Sequence, residues 1–107
     1  MSTCASREEA EAIATRLVTD GTAACVNLID KVTSIFQWKG KIEQASEVLL
    51  IIKTRSNAAG KVEETIRSMS SYECPEVIVL PVSGGAVQYL DWLESTVRMA
   101  AQSSTTE

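Results

Sequence analysis

Between Ala23 and Thr54 the chain holds two extended runs around one tight turn, and this pair limits what the rest of the molecule can be. Ala23–Leu28 is apolar and strand-forming, Asp30-Lys31 interrupts it, and Val32–Trp38 resumes the extended pattern. Alternation places Ser34, Phe36 and Trp38 on one strand face and Thr33, Ile35 and Gln37 on the other. Lys39-Gly40-Lys41 supplies the turn, and Ile42 leads into Glu47–Thr54. The core of that last run, Val48-Leu49-Leu50-Ile51-Ile52, reads as a strand buried on both faces. Two such strands joined tightly make a long antiparallel hairpin. A hairpin longer than the domain beneath it reaches toward a neighbouring chain.

The flanking segments supply helices and two further strands. Ser6 with Glu9 forms S-x-x-E, in which each side chain satisfies the other residue's free amide, so a helix is predicted from about Arg7 to Asp20. Ile13, Ala14, Leu17 and Val18 mark its apolar face, and Gly21 stands where a left-handed terminating residue is favoured. Asn57 is the expected cap of a second helix bearing Val62, Ile66 and Met69, with Gly60 weakening its start. Pro75 disfavours helix at Cys74, Val77–Val82 reads as a fourth strand with Pro81 at an edge, and Tyr89–Met99 as a final helix carrying Leu90, Leu93 and Val97. The order β-α-β-β-α-β-α is an α+β arrangement: a ferredoxin-like split β-α-β sandwich, its antiparallel sheet covered by helices on one face. One domain is expected over residues 1–101, followed by a polar flexible tail at 102–107. The first strand must be central, and Met1–Cys4 is short for that place. Met1 is therefore expected either to lie within a strand of a longer chain or to follow a late start.

Charge and cysteine usage exclude several classes of function. The 107 residues carry ten Lys and Arg against fourteen Asp and Glu, a net charge of -4, so neither nucleic acid nor an anionic membrane surface is an expected partner. No apolar run approaches the ~18 residues of a membrane span, and the start lacks a signal-peptide core. Cys4, Cys25 and Cys74 are odd in number and far apart, with no C-x-x-C, which fits free thiols in the reducing cytoplasm. There is no histidine, so a Ser-His or Cys-His nucleophile pair is impossible, and a single protomer lacks four Cys or His ligands for structural zinc. The expectation is a protein that is not an enzyme.

Six blocks carry a resemblance over nearly everything from Cys4 to Leu93. They are Ala23-Ala24-Cys25-Val26-Asn27, Thr33 through Lys41, Ser46-Glu47-Val48-Leu49, Ile52-Lys53-Thr54, Tyr72-Glu73-Cys74-Pro75-Glu76 and Tyr89-Leu90-Asp91-Trp92-Leu93. In order and spacing they resemble the CutA family, associated with divalent-cation tolerance and built as ferredoxin-like homotrimers related in shape to PII signalling proteins. The resemblance implies a homotrimer with clefts between subunits.

It also implies a question about copper or another divalent metal. The first-strand cysteine of copper-binding relatives falls on Ser2 and their histidines on Met69 and Ser70, so the imidazoles are gone. An imidazole-based Cu(II) site cannot exist here, and the remaining donors are Cys4, Cys74 and Met69, with Cys25 a weaker candidate. Each has a plainer role: small thiols fill cores, and Met69 completes an apolar stripe. A second group is more coherent. Lys53 interrupts an apolar strand and needs an acid partner or a cleft, while Tyr72, Glu73 and Glu76 cluster around Pro75. By the resemblance these positions approach the inter-subunit clefts near Phe36 and Trp38, where a small anionic or zwitterionic ligand would fit. The alternative is a salt bridge at the subunit seam. Phe36 and Trp38 alone also read as packing, and Gly84-Gly85 as loop geometry.

Overall fold

Hairpin and turn follow from backbone chemistry at two residues. The computed structural model describes residues 1–98, and in it strand β2 (Cys25–Trp38) pairs antiparallel with β3 (Lys41–Lys53). Trp38 faces Lys41 across the closing pair, while Lys39 (φ 52°) and Gly40 (φ 82°) both take left-handed backbone. Positive φ at both central residues is the two-residue turn whose twist matches that of the strands. The Asp30-Lys31 interruption does not divide the strand. It is a bulge within a continuous β2, with Lys31 at φ 61°, between the pairs Ile29↔Leu49 and Val32↔Glu47. Arg7 ties this bulge to the first helix, its guanidinium bonding Asp30 at 2.9 Å and Glu11 at 2.8 Å.

The short strand β1 (Ser2–Cys4) pairs antiparallel with β3 through Ser2↔Leu50, Thr3↔Leu49 and Cys4↔Val48, giving the sheet order β1-β3-β2. Helix α1 (Arg7–Thr19) begins where the Ser6 hydroxyl accepts the Glu9 amide at 3.2 Å. The reciprocal half of the expected capping box is not made: the Glu9 carboxylate accepts the Ser71 amide instead, at 3.2 Å. Gly21 at φ 76° ends the helix as expected.

Before helix α2 (Ala59–Met69) the chain makes a 3-10 turn at Ser56–Ala58. Asn57 therefore lies inside that turn, and the N-cap of α2 falls on Ala58, which offers no side-chain cap. Helix α3 spans Val87–Thr96, earlier at both ends than expected, and the Met99 end of that expectation and the tail at 102–107 lie outside the described residues. The fourth strand expected at Val77–Val82 forms no regular ladder. Its amide and carbonyl at Ile78 are exchanged with Met1, at 3.0 and 2.7 Å, and β1 offers it no second pair.

Cys4, Val48 and Leu50 of the sheet pack against Ile13 and Leu17 of α1 and Val62 and Ile66 of α2. Each such fully buried side chain stabilises the fold by about 1.5–3 kcal/mol. A smaller cluster of Ala24, Ala58 and Val97, with Leu93, attaches α3. The β3 run expected to be buried on both faces is buried at Val48 and Leu50 and only half-buried at Leu49, Ile51 and Ile52.

Candidate functional site

Lys53 lies at the end of β3, opposite Cys25, where the strand leaves the sheet. A half-buried ammonium needs an acid partner or a cleft, and the structure gives it a cleft with an aromatic ring rather than a carboxylate. Lys53 Nζ stands 5.7 Å from the centroid of Tyr89, whose ring is 5.5 Å from that of Trp92 at 44°. Helix α3 thus brings its two aromatic residues to the lysine. Lys53 also lines a largely apolar cleft of about 730 Å3 between Ile51–Ser56 and Val77–Val82. Thr54, Arg55 and Ser56 continue into a second hollow of about 390 Å3 beside Ser83, Gly84 and Asp91. Gly84 therefore borders a polar recess as well as shaping a loop.

Tyr72 goes elsewhere. Its phenol donates to Glu47 Oε2 at 2.5 Å, and its own amide donates to Ser70 Oγ at 3.1 Å. Glu47 is buried, 9% exposed, and burial together with this carboxylate pushes the Tyr72 phenol well above its ordinary range. Cys4 lies in the same neighbourhood. Burial first, then Glu9 and Glu47, push its thiol up to about 11, so it is protonated at neutral pH. Met69 packs against the core that holds Cys4, whereas Cys74 is exposed and Cys25 half-buried. Among the described residues no three His, Cys, Asp or Glu side chains converge as a metal site.

Glu73 is exposed and Glu76 half-buried in the segment after α2. Phe36 and Trp38 stand 41% and 43% exposed on the outer arm of the hairpin. Trp38 pairs with Lys41, twelve residues from Lys53 along β3. At ~3.3 Å per residue this is about 40 Å, so within one protomer the hairpin aromatics and Lys53 do not share a pocket. The sequence reading missed Glu47, Glu9 and Tyr89. Glu47 had a visible signal, a charged residue directly preceding a buried apolar run, the same signal that drew attention to Lys53.

This hairpin, short first strand and two-helix cover match a known family along most of the chain. The model of the family described as CutA1 divalent ion tolerance protein matches residues 1–96. The chain belongs to the CutA1 family. It is 46% identical to "Protein CutA" of Mus musculus over 96% of this chain and 58% of that protein, so it spans a little over half of that relative's length. It is 41% identical to the "Divalent-cation tolerance protein CutA" of Thermus thermophilus, over 85% of this chain and 88% of that one. Among solved structures, the divalent cation tolerance protein from Thermus thermophilus superposes with a TM-score of 0.89 at 38% identity, covering 91% of this chain and 94% of that one. The apo "PII-like protein CutA" from Nostoc sp. PCC 7120 superposes with a TM-score of 0.84 at 30% identity, covering 92% and 94%. The CutA1 assignment and the PII-like shape of this last neighbour agree with the α+β fold expected from the element order.

Proposed function

We propose that the chain works as a homotrimeric CutA-type binding module in the tolerance of divalent cations, with ligand clefts formed between protomers. The hairpin carries this reading. Its outer arm extends past the helices and exposes Ile35 at 68%, Ile42 at 73%, Phe36 and Trp38. Exposed apolar side chains beside open strand edges favour association, and closed three-fold symmetry covers such edges without leaving a polymer. In the trimer the arm of one protomer supplies Phe36 and Trp38 to a neighbour's Lys53, Glu76 and Glu73. That arrangement suits a small anionic or zwitterionic ligand. No reaction is assigned to it: the role is binding, in a reducing compartment that keeps the three thiols free.

A second reading, a PII-like small-molecule or protein-interaction scaffold with no direct metal site, is favoured by one observation. Lys53 already has Tyr89 and Trp92 for company, a set that recognises an organic ligand better than a metal ion.

Light scattering on the intact chain tests the assembly: a mass near three times 11.6 kDa is expected, and a monomer at micromolar concentration overturns the reading. Quenching of tryptophan fluorescence by small carboxylates and amino acids, lost in Lys53→Ala while the trimer mass holds, identifies the cleft. Loss of the trimer alone makes Lys53 a seam residue.

A further inference from the structure

We propose that the polar cluster at the Cys4 end of the sheet is a hydrogen-bonded latch for residues 70–76, and that it holds no divalent cation. The family's description makes a cation the obvious occupant of any carboxylate and thiol group in this fold. The donors here argue otherwise. Two carboxylates meet at the cluster, and each is already an acceptor for the segment after α2: Glu47 for the Tyr72 phenol and Glu9 for the Ser71 amide. A metal ion on Glu47 Oε2 would compete with the phenol proton for that oxygen and loosen the hold of β3 on Tyr72.

The other donors are poor. Cys4 is 1% exposed, and the two nearby carboxylates oppose formation of the thiolate that a soft ion requires. Ser2 Oγ is buried with no hydrogen-bond partner among the described residues, but it is one neutral hydroxyl on the helix-facing side of β1. No imidazole exists anywhere in the chain. Hard cations such as Ca²⁺ take six or more oxygens and Zn²⁺ takes four ligands, largely nitrogen and sulfur. Two carboxylates, one neutral hydroxyl and a buried thiol fall short of either set, and among the described residues no three His, Cys, Asp or Glu side chains converge as a metal site.

The latch has a positive role. Its two bonds fix Ser71 and Tyr72 to α1 and β3, and with them the approach of Glu73, Cys74, Pro75 and Glu76 to the start of the 77–82 segment. This refines the cation-tolerance reading, resting on it only for the ions chosen, and moves any link with cations away from the protomer's interior.

The test uses the intact reduced chain, titrated calorimetrically with Zn²⁺, Cu²⁺ and chelator-buffered Cu⁺, beside Glu47→Gln and Cys4→Ala. Amide exchange of residues 70–76 is followed in the same chain and in Tyr72→Phe. The expected result is that neither Glu47→Gln nor Cys4→Ala changes the response to any ion. In Tyr72→Phe, exchange at 70–76 accelerates about tenfold or more while the far-ultraviolet dichroism is kept. A tenfold loss of ion affinity in Glu47→Gln or Cys4→Ala overturns the proposal, as does unaltered exchange in Tyr72→Phe. The mass measurement is independent of both, so failure of the trimer and failure of the latch are separately visible.

Discussion

The guanidinium of Arg98 occupies the space into which a side chain on Gly21 would project. Arg98 Nη2 donates to the Thr19 carbonyl at 2.9 Å and the Arg98 amide to the Gly21 carbonyl at 2.6 Å. A Cβ on Gly21 would collide with Arg98 Nε, and Gly21 also holds φ 76°. The chain just beyond α3 is thereby fastened to the end of α1, where a cation complements the exposed carbonyls.

Gly21→Ala is accordingly expected to cost about 1–3 kcal/mol, since it combines left-handed strain with displacement of Arg98. Urea unfolding measures it. In the Arg98→Ala background the same substitution should cost measurably less, because only the backbone strain remains; equal costs in both backgrounds would show that the collision is not felt.

Lys39→Asn is expected to stabilise the hairpin by roughly 0.5 kcal/mol. Lys39 and Gly40 both hold positive φ, and asparagine tolerates that region where lysine is disfavoured. Chemical denaturation of the intact protein, compared at one protein concentration, gives the sign.

Ile42→Asp should weaken assembly without unfolding the protomer. Ile42 is 73% exposed on the outer arm and belongs to neither buried cluster. Light scattering should show dissociation at dilutions where the parent stays assembled, with helical dichroism unchanged. A variant that unfolds outright would make the arm part of the protomer's own core.

Stability should fall in alkali on account of Cys4 and Tyr72. Burial raises the Cys4 thiol from 9.0 to about 11, so the unfolded chain loses that proton first. Its contribution is intact below about pH 9 and is lost as pH climbs toward 11. Tyr72, raised by burial and then by Glu47, adds a loss of the same sign that begins above its free value of 10.0. Thermal melts from pH 8 to 11 should show the decline, flattened over pH 9–10 by Cys4→Ala. Over that range an unaltered slope in Cys4→Ala would remove the thiol from the account.

The hairpin and the helix order were legible because their causes are local. Gly40 needs little beyond its neighbours to make a turn, and Ser6 caps α1 from within one turn of chain. What was misread depends on distant partners. Glu9 had a near amide available and took the Ser71 amide 62 residues away. Asn57 has cap chemistry, but the Ser56–Ala58 turn moves the α2 cap position one residue on, to Ala58. Val77–Val82 has strand composition, yet a ladder needs a partner edge, and β1 provides only Met1 at that level. Lys53 stood out as a charge within an apolar strand, whereas its partner Tyr89 lies 36 residues on, in a helix whose packing periodicity does not reveal. Phe36 and Trp38 were expected beside Lys53 on a resemblance that concerns an assembly. Their distances from Lys53 along β3, about 33 Å for Phe36 and about 40 Å for Trp38, follow from one chain alone.

The bulge at Asp30-Lys31 determines where the outer arm points. Val26 and Leu28 sit opposite Ile52 and Leu50, whereas Val32, Ser34, Phe36 and Trp38 sit opposite Glu47, Ala45, Glu43 and Lys41. One surplus residue thus exchanges the two sides of β2 midway along its length. Excising it would let β2 alternate strictly while Phe36 and Trp38 kept Glu43 and Lys41 opposite them, so the rings would hold their side and the arm would lose only the local bend and added twist that set its direction.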